Sequence, residues 1–194
     1  MTNALSPSAH STHDQILQGA IGVFGRLGFK KATIDDLAAA ANLSRQGLYL
    51  HFSGKQAIFT AALQRYLDDG LALVDAALTS PAAPLNTRLL DAIDHWFGRH
   101  LVTFTPASFD VMEAQRDLHL DESVETYKSA WRGRVAGALK ASPEFQTSGN
   151  RCSPKEIAQV LFTCGLSWKE RPVSRREFRA EMKLAVRACT QLPT

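Results

Sequence analysis

The chain has 194 residues, 45% of them hydrophobic and 21% charged, with a formal net charge of +3. That balance describes a globular chain long enough to bury a core, and it excludes a disordered, fibrous or strongly basic protein. No apolar run approaches the roughly eighteen residues that span a bilayer, so no membrane partner is expected and the cytoplasm is the expected location.

The first dozen residues (MTNALSPSAHST) lack the basic start and apolar stretch of a secretion signal and read as a flexible tail, 1–12. Cys152, Cys164 and Cys189 fit no metal or redox spacing and are expected as reduced thiols. No metal site and no cofactor are expected.

Stretches that read Ser/Thr-x-x-Glu/Gln/Asp include Thr12 to Gln15, Thr33 to Asp36, Ser53 to Gln56, Ser153 to Glu156 and Ser174 to Glu177. In such a box the hydroxyl accepts from a free amide of the first turn while the second side chain reaches back, so each predicts a helix start. Each opens onto helical periodicity, and no segment alternates with a period of two. The chain is predicted to be all-α, with about nine helices.

Helix one is predicted from about His13 to Leu27, with Ile16, Ala20, Phe24 and Leu27 on one face. Gly19, Gly22 and Gly25 inside it are costly and point to close helix packing, and Gly28 suits a helix end. Helix two follows Thr33 and turns Ile34, Leu37, Ala38 and Ala41 inward. Asn42 can adopt the left-handed conformation that a tight turn between helices needs.

Ser44 then caps SRQGLYLHF, in which Leu48 and Phe52 are anchors four residues apart. Arg45 and Gln46 project from the first turn, and such side chains can pair with guanine and adenine in the DNA major groove. Residues 1–70 hold six basic against five acidic residues. Positive charge for DNA must therefore be local, at Lys30, Lys31, Arg45 and Lys55.

A fourth helix is predicted from Ser53 to about Leu78, then a Pro/Ala break from Thr79 to Asn86. Further helices are expected over Leu89–Thr103, Pro106–Leu118 and Asp121–Ala141. A Ser/Gly/Pro-rich break spans Ser142–Ser153, and the last helices run from Pro154 to about Lys169 and from Arg175 to about Leu192.

The stretch from Ile16 to Phe59 resembles the N-terminal DNA-binding domain of TetR-family transcriptional regulators. The resemblance rests on Phe24, Gly28-Phe29, Thr33-Ile34, Leu37-Ala38, Ala41, Leu43-Ser44, Leu48-Tyr49, His51-Phe52 and Lys55. It implies a three-helix helix-turn-helix head at 13–60, carried on a larger helical ligand-binding and dimerisation bundle at 61–194. It also implies that Thr33, Tyr49, Lys55 and His51 meet phosphates. With Ser44, Arg45, Gln46 and Gly47 these form the expected DNA-binding set. Two departures from the family pattern are Asn42 in place of Gly, and Gln46-Gly47, where Gly47 forfeits a contact to thymine.

Ile157, Leu161, Cys164 and Trp168 recur at helical spacing, as do Phe178, Met182, Ala185 and Cys189. They are expected either at a four-helix dimer interface or in the monomer core. Trp96, His100, Phe104, Phe109, Met112, Arg116 and Trp131 are the candidates for an effector pocket, with plain core as the alternative for the aromatics. The expected function is a ligand-responsive homodimeric repressor, released from a palindromic double-stranded DNA operator by a small, largely apolar effector. The alternative is a helical small-molecule-binding or protein-interaction module acting without DNA. No GxSxG, HExxH or paired-Cys motif suggests an enzyme.

Overall fold

The computed structural model describes residues 11–99, 107–166 and 174–192, and these are all-helical. His100, Phe104 and Trp168 lie outside the described residues, as does the side chain of Phe109. The helices are α1 (Thr12–Lys31), α2 (Ile34–Ala40), α3 (Arg45–Tyr49), α4 (Lys55–Leu78), α5 (Leu85–Ile93), α6 (Ala107–Asp117), α7 (Asp121–Ala141), α8 (Pro143–Gln146), α9 (Pro154–Gly165) and α10 (Arg175–Thr190). The one-turn helix α8, with Pro at its first position, lies in a segment expected to be a break. It raises the expected nine helices to ten among the described residues.

Three capping boxes form as the sequence predicts: Thr33 with Asp36, Ser153 with Glu156, and Ser174 with Glu177. Two do not. The α1 cap is Ser11, whose hydroxyl accepts from the Asp14 amide, one residue earlier than the Thr12–Gln15 box. In α4 the first helical bond runs from the Ile58 amide to the Gly54 carbonyl, which leaves Ser53 outside the helix. At both ends a neighbouring residue takes the cap position, which the four-residue spacing alone does not distinguish.

The chain divides into two compact units. The first holds α1 to α3, α4 through Tyr66, and α6. Its core is Ile16, Ala20, Val23, Phe24, Leu37, Ala38, Leu48, Ile58 and Phe59, each 4% exposed or less. Phe24, Phe29 and Phe59 interlock with ring centres 5.0 to 6.0 Å apart. Gly28 (φ +78°) breaks α1 at the expected place, a conformation that a side chain would strain. The close packing expected of the α1 glycines holds at Gly19. A Cβ there would lie 2.9 Å from the Ala40 carbonyl oxygen of α2, whereas Gly25 faces open space. Helix α6 packs along α1. Asp110 accepts from the Lys30 amide at 2.6 Å, and Glu113 pairs with the Lys30 ammonium at 2.8 Å.

The second unit holds α4 from Leu67, α5, and α7 to α10. Helix α5 continues through a π-helical turn, Asp94–Gly98. Phe97, Trp131 and Phe162 meet edge to face with centres 5.3 to 5.5 Å apart. Asp94, almost buried, accepts from Arg175 at 2.8 and 3.0 Å and from Arg179 at 3.2 Å. A buried charge is tolerated when paired and hydrogen-bonded in this way, and the pairing ties α10 to the end of α5. No described helix is long and apolar enough to cross a membrane.

Candidate nucleic-acid interface

The geometry of α2, α3 and their connection follows from short-range chemistry. Asp36 accepts from the Thr33 amide (2.9 Å) and hydroxyl (2.6 Å), and the Thr33 hydroxyl accepts from the Asp36 amide (3.1 Å). These bonds favour the ionised carboxylate, so the Asp36 pKa is held below its usual value. The chain turns at Asn42 (φ +54°), the left-handed residue the sequence predicts. The Leu43 amide bonds to the Ala38 carbonyl at 2.9 Å, which closes the turn. Ser44 caps α3 by accepting from the Gly47 amide at 3.0 Å.

Helix α3 is held from one side. Leu48 is buried, and half-buried Phe52 stacks on His13 with ring centres 5.0 Å apart. Arg45, Gln46, Tyr49 and His51 are exposed. The Arg45 guanidinium lies 5.9 Å from the Tyr49 ring centre and 3.4 Å from Asp35, an exposed pair that costs little to break. Gly47 is half-buried, and a Cβ there would point back toward the Ser44 hydroxyl (3.3 Å) and Leu43 (3.8 Å). A side chain at this position would thus be directed into the turn, not outward.

Lys55 stands differently from the other residues of the expected set. Its ammonium donates to the carbonyls of Phe29 (3.0 Å), Ala32 (3.0 Å) and Lys30 (3.4 Å), and it lies over the Phe29 ring. It closes the end of α1, where carbonyls lack helical partners. Its position is explained by this role before any phosphate is invoked. Lys30 is likewise paired with Glu113, and the pairing raises the lysine pKa and lowers the glutamate pKa. Local positive charge is therefore more engaged within the head than the sequence suggests.

The candidates in the rest of the chain separate. Trp96 and Trp131 are buried in the second unit, while Met112, half-buried, and Arg116, exposed, belong to α6 of the first. Periodicity missed Phe162, which completes the aromatic triangle with Phe97 and Trp131. Ile157, Leu161, Phe178 and Met182 are 0 to 3% exposed and lie in the core of their own unit. For these four residues the burial is that of the core alternative, with the apolar stripes of α9 and α10 packed against their own unit. Cys164, Ala185 and Cys189 are half-buried, and all three cysteines are unpaired. Among the described residues, no group of His, Cys, Asp and Glu could hold a metal ion.

Two proteins similar in sequence are named as transcriptional regulators of the helix-turn-helix type. YfiR of Bacillus subtilis strain 168 is 29% identical over 122 residues, covering 56% of this chain and 56% of YfiR. The negative regulator of the biofilm operon icaADBC in Staphylococcus aureus, IcaR, is 33% identical over 55 residues, covering 28% of this chain and 30% of IcaR. The chain thus matches little more than half the length of the first relative and under a third of the second. The fold is shared with a TetR-like regulator from Rhodococcus sp. RHA1, with a TM-score of 0.63 at 22% identity over 94% of this chain and 98% of that one. It is also shared with PfmR of Thermus thermophilus, with a TM-score of 0.66 at 20% identity over 90% and 98%. Residues 16–62, which carry the α2–turn–α3 geometry, match the sequence profile of the bacterial regulatory proteins of the tetR family.

Proposed function

We propose that the protein is a DNA-binding transcriptional repressor, active as a homodimer on a palindromic operator and released by a small, largely apolar effector. The observation that carries the DNA-binding reading is the one-sided anchoring of α3. Leu48 is buried and Phe52 half-buried, while Arg45, Gln46, Tyr49 and His51 stand in solvent on a helix capped by Ser44. Arg45 and Gln46 read bases. Thr33, Tyr49 and His51 contact phosphates and fix the register. The description of IcaR as a negative regulator favours repression.

For the dimer, the exposed apolar side chains of α9 and α10 are Val160 (47% exposed) and Leu184 (58% exposed). They replace the buried stripes as the surface on which two subunits meet. Val160→Asp or Leu184→Asp would produce monomers in sedimentation. For the effector, the buried Trp131 indole N–H has no acceptor among the described residues. It is the donor that a hydrogen-bond acceptor on an otherwise apolar molecule would meet. The effector acts by binding the two states of the dimer unequally, which changes the distance between the two α3 helices, about 34–36 Å or a multiple of it on DNA. Selection of DNA from a random pool by the full-length protein tests the reading. Enrichment of a palindrome supports it; no enriched sequence favours a helical binding module that acts without DNA.

A further inference from the structure

Among the described residues of the first unit, two large apolar side chains are exposed, and both lie at the end of α3. They are Tyr49 at 46% and Leu50 at 82%. Tyr49 has a hydroxyl to justify its place. Leu50 is wholly apolar, and it is more exposed than any other large hydrophobic residue described. Its backbone remains right-handed helical (φ −69°, ψ −22°), and its amide bonds to the Gly47 carbonyl. It therefore continues the helix and lies one turn beyond Gln46, on the same face. Gly47 places nothing there, since a side chain at 47 would turn back toward Ser44 and Leu43.

The major-groove edges of the four base pairs carry hydrogen-bonding groups and one apolar feature, the 5-methyl group of thymine. We propose that Leu50 is a specificity-determining residue that recognises a thymine by packing against this methyl group. This inference rests on the DNA-binding reading above. Four residues of helix advance about 6 Å, against about 3.4 Å per base pair. The thymine read by Leu50 thus lies within about two base pairs of the adenine that pairs with Gln46. The apolar contact that Gly47 does not make is supplied one turn later.

The test uses the full-length protein and the operator it selects. Each thymine of a half-site is replaced in turn by deoxyuridine, which lacks only the 5-methyl group. With the native protein, one replacement weakens binding by about threefold to tenfold. Leu50→Ala weakens binding to the thymine operator by a similar factor, and with this variant the same deoxyuridine replacement has no further effect. Leu50 is exposed, so the variant keeps the native helix content, which circular dichroism checks. If Leu50→Ala binds as tightly as the native protein, the proposal is overturned. It is equally overturned if the variant binds weakly but remains as sensitive to deoxyuridine as the native protein, because Leu50 then packs on sugar or backbone. A protein that selects no DNA overturns the DNA-binding reading itself, and Leu50 falls with it.

Discussion

The ammonium of Lys55 lies 4.7 Å from the centre of the Phe29 ring and donates to the carbonyl of the same residue at 3.0 Å. With Ala32 also at 3.0 Å, one cation at the start of α4 holds the end of α1 and the entry to α2. Replacing it with methionine keeps most of the apolar stem but leaves the carbonyls without their donor. Lys55→Met should lower head stability by about 1–3 kcal/mol, measured by denaturant unfolding. The salt dependence of DNA binding by the folded variant should be unchanged. A slope shallower by about one would instead identify Lys55 as a phosphate contact.

Arg45 makes only an exposed pair with Asp35 at 3.4 Å and a glancing contact with Tyr49. Arg45→Ala should leave the melting temperature almost unaltered. It should weaken specific DNA binding by about 1–3 kcal/mol and relax the preference at one base position. Equal weakening on all sequences would mean that Arg45 touches phosphate and not base.

The three glycines of α1 separate by their surroundings. Gly25→Ala meets nothing within 4 Å and should stabilise the protein by about 0.5–1 kcal/mol. Gly19→Ala would place a methyl group 2.9 Å from the Ala40 carbonyl oxygen. It should displace α2, lower stability and weaken DNA binding together. Thermal unfolding of the two variants side by side checks both signs.

Hydrogen bonds from Thr33 lower the Asp36 pKa below its usual 3.8. A depressed carboxylate contributes stability that is present above the unfolded pKa and lost as pH falls through the folded one. The stability difference between the native protein and Asp36→Asn should therefore be constant near neutrality and shrink below about pH 4. Denaturant titrations across this range measure it. A difference that persists in strong acid would place the contribution of Asp36 elsewhere than in its charge.

In the second unit, the Tyr127 hydroxyl donates to Asp68 at 2.7 Å. Burial and then this carboxylate push its pKa up to about 12. A raised pKa means that the contribution is complete below the unfolded value near 10 and is lost as pH rises through the folded value. The difference in tyrosinate absorbance between the native protein and Tyr127→Phe should rise near pH 12. Asp68→Asn should bring that rise down toward 10.

The head was legible because its chemistry is local. A hydroxyl and a carboxylate three residues apart, or an asparagine that tolerates positive φ, act within one turn of the backbone, so Thr33–Asp36 and Asn42 are found where the sequence puts them. The same locality explains Ser153 and Ser174 at the starts of α9 and α10. It also explains the errors at α1 and α4, where an adjacent residue serves as cap equally well.

By itself, then, the sequence determined the all-helical class, the starts of α2 and α3 with the turn between them, and the pair of anchors Leu48 and Phe52. Only tertiary structure decided which partner each face meets. An apolar stripe requires burial but does not specify against what, and Ile157, Leu161, Phe178 and Met182 proved to be buried within their own unit. The engagement of Lys30 with Glu113 spans 83 residues, and that of Lys55 with Phe29 spans 26, distances at which periodicity carries no information. Leu50 is the converse case: its residue type predicts burial, and only the packing of α3 by Leu48 and Phe52 turns it outward, to 82% exposure.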